Sequence, residues 1–227
     1  LDMPVVISRT GYTGDLGYEI WMGKEYAERV WDLLIEQGKN FGIKPAGILA
    51  LDVARLEAGF ILLEVDYIGA EKALIPSRRY SPFEIGLGWT VDLKKDHFIG
   101  AEALRKLDRS GPRRQIVGLE VDLEDYEDLY SQAGLPPYFP LTAWRGGLPL
   151  FKDERQVGHA TTGAWSPALK KYVALATVEK DFISPGNRLE LEVSVDYKRK
   201  NTGVTVVKLP FFDPPRKRAV FAPANGR

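Results

Sequence analysis

From Arg114 onward the apolar residues recur with a period of two, in short runs broken by turn residues. The runs are Arg114 to Val121, Gln156 to Thr161, Tyr172 to Val178, Arg188 to Val195 and Thr202 to Lys208. Alternation of this kind buries one face of a strand and leaves the other wet. Short strands separated only by turns constrain this half to a small all-β barrel or sandwich. The half before it has another texture. Residues 4–8 and 18–22 read as strands, and Glu25 to Gly38 and Ala46 to Ala58 carry helical spacing, with Gly38 and Gly59 as stops. Residues 62–82 are irregular, Trp89 to Leu93 is predicted as a strand and Gly100 to Leu107 as a helix. Ser110-Gly111-Pro112 then breaks the chain. The expected fold class is α+β, divided at 1–111, 112–212 and a poorly ordered tail, 213–227, in which Arg216, Lys217 and Arg218 form a solvated basic run.

Lys+Arg and Asp+Glu are both 31, for a net charge of +0. No global field therefore favours nucleic acid or an anionic membrane, and no apolar run approaches the ~20 residues that span a bilayer. The expected partners include neither, and the expected location is cytoplasmic. With no cysteine and only His97 and His159, far apart, thiol chemistry and a Cys- or poly-His metal site are excluded. Chemistry must come from carboxylates, tyrosines, arginines, backbone or a bound cofactor. His97 falls in a charged turn and His159 in a strand, and both read as non-catalytic.

One stretch concentrates such groups: Arg9 to Trp21, RTGYTGDLGYEIW. Its glycines follow G-x-x-G-x-x-G, and a strand comes after them, so it is no dinucleotide fingerprint. Two readings remain. It is a tight hairpin with aromatic packing, or a pocket for a flat ligand in which Tyr12, Tyr18 and Trp21 offer ring faces. In the second, Glu19 presents two coplanar acceptor oxygens. Such a carboxylate matches a heterocycle with two adjacent N–H donors, as in pterins.

That stretch, with LDVARLEAGF and SPFEIGLGWTVDLKKDHFIGAEAL after it, resembles the glycine-cleavage T-protein family of tetrahydrofolate-dependent one-carbon transferases. VGHATTGAWSPALKKYVALATV and VTVVKLPFF resemble the same family's C-terminal barrel, and the motifs run in order from about Val5 to Phe212. The resemblance implies the C-terminal part of a three-lobed folate-binding domain followed by a β-barrel, with tetrahydrofolate as cofactor. It implies that Tyr12, Glu19, Trp21 and Arg55 belong to the folate site, Glu19 reading the pterin edge. Arg55 is expected to be structural or to hold the site walls.

The family usually has Arg-Asp where this chain has Leu51-Asp52, and its folate domain begins well before Val5. The expected partner is therefore the N-terminal half of that domain, on this or another chain, which carries the family's acidic catalytic residue. A longer barrel and a Tyr…Trp pair spaced as Tyr12 and Trp21 are similar to the family's aromatic O-demethylases. The expected reaction is methyl transfer from a small-molecule methyl ether to N5 of tetrahydrofolate, with Tyr12 as proton donor. Aminomethyl transfer from a lipoyl carrier, a non-catalytic folate-binding module and a subunit of a folate-coupled oxidase are the alternatives. The insertion after Val121 is acidic, which reads as a solvated face. Its Tyr126, Tyr130, Tyr138, Phe139 and Trp144 either form a satellite core or close over a substrate.

Overall fold

A computed structural model describes residues 3–218; at Arg216 and Arg218 only the backbone is described. β1 (Val5–Ser8) and β2 (Glu19–Met22) form an antiparallel hairpin in the register Val6↔Trp21 and Ser8↔Glu19. α1 (Ala27–Gly38) is followed by a 3-10 turn, Lys39–Phe41, and the chain reverses at Gly42, where φ is 73°. The α-helix ends at the expected Gly38, and the 3-10 turn carries the chain on to its reversal. α2 (Ile48–Glu57) ends at Gly59, whose φ of 70° only glycine takes without strain. The hairpin loop lies against this helix end: a Cβ at Gly14 would sit 2.5 Å from the Ala58 side chain.

Residues 62–82 hold no α-helix or strand, only turns, a Leu63–Tyr67 bridge and a 3-10 turn at Pro76–Arg78. The strand expected at Trp89 to Leu93 is absent, and Gly88–Thr90 is a 3-10 turn. Trp, Thr and Val favour a strand, but a strand needs a neighbour to complete its hydrogen bonds, and none pairs here. α3 (Ala101–Ser110) ends at Gly111, where φ is 71°.

Six antiparallel strands then close a barrel. They are β3 (Arg114–Val121), β4 (Trp144–Lys152), β5 (Arg155–Ser166), β6 (Lys171–Glu179), β7 (Arg188–Val195) and β8 (Lys198–Val207), in the order β3-β6-β5-β4-β7-β8. Closure pairs β8 back to β3 and leaves no free edge. Inward residues such as Leu119, Leu150, Val157 and Leu191 are fully buried. A helix, α4 (Leu123–Gln132), interrupts the strands where a solvated acidic loop was expected. Asp122 caps it by accepting from the Asp125 N–H, and Tyr126 and Tyr130 enter the barrel core. Its acidic residues form only the outer side. Tyr126 packs against Phe139 and Tyr172 at ring distances of 5.5 and 5.4 Å, and its hydroxyl donates to the Tyr138 carbonyl. These aromatics fill the main core, apart from Tyr138, which is exposed.

The two halves meet along α2. Leu56 packs with Ile116, Ala164, Val173 and Leu175 of the barrel wall, and Ser166 donates to Glu57 across the seam. After the barrel the chain returns to the same place, where the Phe212 N–H donates to the Glu57 carbonyl. Lys217, expected in a solvated run, is half-buried; its Nζ donates to the Phe212 carbonyl and lies 4.8 Å over the Phe212 ring. The rest of the predicted tail, 219–227, lies outside the described residues. Among the described residues no helix is long and apolar enough to cross a membrane.

Candidate functional site

The β1–β2 hairpin places Glu19 and Trp21 on one face, because alternate residues of a strand point the same way. Ser8 and Val6, directly opposite, share it. Glu19 is held by a short chain of hydroxyls: Thr10 donates to its Oε2 at 2.7 Å, and Ser8 and Thr10 are bonded at 2.9 Å. The carboxylate remains exposed with acceptor capacity to spare. Beside it Trp21 is 62% exposed and Val6 66%, so the face pairs an open planar acceptor with bare apolar surface.

Tyr12 is turned toward the seam with the barrel. Its ring stacks on Phe60 at 5.5 Å, and its hydroxyl donates to the Ile61 carbonyl at 2.5 Å. Burial raises its pKa above 10.0, with Asp66 adding to the effect and Arg55 opposing it. The hydroxyl proton that the sequence assigns to a leaving group here bonds the Ile61 carbonyl.

Behind Tyr12 runs a buried ionic chain that links α2, residues 60–66 and the barrel. Arg55 is wholly buried and all three of its nitrogens are occupied. Nε donates to Asp52 at 2.8 Å, Nη1 to Asp66 at 2.8 Å and to the Phe60 carbonyl at 3.1 Å, and Nη2 to Thr162 at 3.3 Å. A β-bulge at Thr161 turns two consecutive hydroxyls the same way, so Thr161 and Thr162 both donate to Asp66 Oδ1, at 2.6 and 2.7 Å. Arg145 of β4 completes the chain on Asp52 at 2.9 Å. Burial of Asp52 works against its charge, but the hydrogen bonds from Arg55 and Arg145 outweigh it and hold the carboxyl below its usual range.

Arg55 therefore has no surface to give a ligand; it fixes the Phe60–Ile61 segment on which Tyr12 rests. Arg145, Asp66 and the threonine bulge escaped the sequence reading because their partners lie roughly a hundred residues away. Leu51, where the family usually has arginine, is half-buried on α2.

Residues 1–95 match the GCVT N-terminal domain family, and residues 138–213 the glycine cleavage T-protein C-terminal barrel domain. An aminomethyltransferase of Pseudothermotoga lettingae is 36% identical over 207 residues, covering 91% of this chain and 48% of that protein. The trimethylamine-oxide aldolase of Ruegeria pomeroyi is 36% identical over 218 residues, 95% of this chain and 24% of its own length. The crystal structure of the glycine cleavage system aminomethyltransferase T from Bartonella henselae superposes with a TM-score of 0.71 at 26% identity, over 91% of this chain and 49% of that one. The chain spans about half the length of the aminomethyltransferases it matches. With both family domains in order and a barrel of the matching kind, it belongs to the glycine-cleavage T-protein family.

Proposed function

We propose that this chain forms part of a tetrahydrofolate-dependent one-carbon transferase, with the hairpin face as one wall of the folate site. The observation that carries the reading is the pairing of Glu19 and Trp21 on that face, with Glu19 braced by Thr10. A carboxylate offers two coplanar acceptors to the 2-amino and N3–H edge of a pterin, a charge-assisted bidentate contact. Trp21 walls the ring, and Tyr12, fixed by Phe60 and Ile61, shapes the inner side. Arg55 acts as the strut that holds Tyr12. Tetrahydrofolate supplies the N5 that accepts the carbon; the residues here orient it and exclude water from its flanks.

The remaining walls come from the rest of the folate domain, expected to be its N-terminal half; the chain spans 48% of its Pseudothermotoga lettingae relative. The bare apolar surface of Val6, Ile7 and Trp21 supports such a cover. For the donor, the aminomethyltransferase relatives favour an aminomethyl group on a carrier over the methyl ether expected from sequence. Methyl-ether cleavage is the second reading, resting on Leu51, which removes a guanidinium from the site and makes room for a different donor.

Two measurements test this. In calorimetric titration with tetrahydrofolate under reducing conditions, the chain binds saturably. Glu19→Gln weakens binding by the ~1.5–3 kcal/mol of a charged hydrogen bond, about 10- to 150-fold. Unchanged affinity in that variant removes Glu19 from the pterin. Mass spectrometry then follows isotope from an aminomethylated lipoyl carrier, or from methyl-labelled methoxybenzoate, into the folate. Whichever donor labels it names the reaction.

A further inference from the structure

A cavity of about 560 Å³ lies on the barrel side of the seam, between residues 64–80 and strands β3, β4 and β5. Three arginines reach it from separate elements: Arg78 from a 3-10 turn, Arg114 from β3 and Arg145 from β4. Arg114 lies 3.9 Å over the Tyr80 ring, while the half-exposed Arg145 bonds Asp52 through Nη2 and keeps Nε and Nη1 to give. Between Arg145 and Leu148 the pairing of β4 with β5 shifts register, which leaves Gly146 and Gly147 outside the one-to-one ladder. Both line the cavity, and a Cβ at either would meet nothing within 4 Å. Glycine at such a bulge lets a ligand come close to the backbone. His159 on β5 completes the wall. Burial first, then Arg114, lowers its pKa, so its ring is neutral at pH 7 and can both donate and accept.

The charges around the cavity do not balance. Glu64 is paired with Lys72, Asp66 with Arg55, Glu84 with Arg114, and Asp52 with both Arg55 and Arg145. Asp66 also accepts from Thr161, Thr162 and the Leu62 N–H, so both of its oxygens are already bonded. Arg78 has no carboxylate partner among the described residues. Five cations thus meet four carboxylates, and one positive charge is left over at the cavity.

We propose that this cavity binds a phosphate group, its oxygens shared among Arg78, Arg145 and the Gly146–Gly147 bulge, with His159 beside it. A phosphate monoester has three strong acceptor oxygens and a charge of about −1.5 to −2 at pH 7. Its oxygens are directed tetrahedrally, which matches donors arriving from several elements better than the planar pair of a carboxylate does. The excess positive charge offsets the first negative charge. His159 meets the second by taking up a proton, because a bound anion opposes the effect of Arg114. The carboxylates facing it, Glu64 and Asp66, are neutralised by their own cations. Two sources present this group: inorganic phosphate, and a phosphate monoester whose organic part lies along the Tyr67 and Tyr80 rings. The site uses none of Tyr12, Glu19 or Trp21, so it stands or falls apart from the pterin reading.

The test titrates the isotope-labelled chain, in phosphate-free buffer, with inorganic phosphate and with phenyl phosphate, followed by NMR. Saturable shifts at the Gly146 and Gly147 amides and the His159 ring are expected from at least one of them, with a rise in the His159 pKa at saturation. Tighter binding of phenyl phosphate assigns the site to a monoester; otherwise the free anion is its ligand. Arg78→Gln, an exposed change whose unliganded spectrum reports an intact fold, weakens the binding roughly tenfold, the factor for one charged hydrogen bond. Acetate that binds as tightly as phosphate, an unaffected Arg78→Gln, an unmoved His159 pKa, or no saturable shift at millimolar phosphate overturns the proposal.

Discussion

In the barrel, Leu119, Leu150, Leu175 and Leu191 have no exposed surface, while in residues 3–111 Phe41, Leu74, Trp89 and Ile99 are between 83% and 99% exposed. Both regions have apolar residues at regular spacing. The barrel closes on itself and buries its alternating face within one stretch of chain. The first region folds its hairpin and helices but covers few of their apolar sides, and its three deepest residues, Arg55, Leu56 and Asp66, touch the barrel. The barrel is a self-contained core; the first region leaves large apolar side chains uncovered, is secured to the barrel by an ionic chain and faces outward with the candidate folate wall.

The strongest way to break this comparison is to cut the ionic chain. Asp66→Ala leaves Arg55 buried with one carboxylate fewer and the Thr162 hydroxyl and Leu62 N–H without their acceptor. Removing one partner of a buried pair costs about 3–5 kcal/mol, read as a drop in the denaturant midpoint. Limited proteolysis should cut first in residues 3–111 while the barrel survives. A barrel that unfolds together with the first region argues against two regions of unequal stability. Next in size, Leu119→Ala opens a cavity in the closed core and costs about 2–5 kcal/mol. Ile99→Ser, at the exposed end of the contrast, stays within ~0.5 kcal/mol. A large loss at Ile99 means that this residue has a cover within the chain.

The same contrast explains what could be read from sequence. The barrel strands were legible because alternation against a closed core is local; β3 and β7 fall on their expected limits. β4 was missed because Gly146, Gly147 and Pro149, ordinary turn signals, lie inside a bulged strand. α4 was hidden by its acidic side, although Leu123, Tyr126 and Tyr130 at helical spacing behind Asp122 marked it. At the candidate site, the hairpin and the shared face of Glu19 and Trp21 follow from period two alone. The fate of the Tyr12 proton and the burial of Arg55 do not, since Ile61, Asp66 and Thr162 reach them only through the tertiary fold.

The smallest expected effect sharpens the comparison at the seam. His159 sits on β5 in the cavity bounded by Arg114, Arg145, Arg78, Glu64 and Asp66, and burial followed by Arg114 lowers its pKa below 6.5. Below pH 6.5 the unfolded chain therefore takes up a proton that the folded chain resists. The sign follows from linkage: stability is fully present above that pH and declines as pH falls through it. His159→Gln should flatten the fall in denaturation midpoint between pH 7.5 and about 5.5, while His97→Gln, at an exposed turn of the first region, serves as the matched control. An acid slope that survives His159→Gln locates the sensitivity elsewhere. If the slope disappears, the barrel wall at this cavity is closed tightly enough to exclude a charged imidazole.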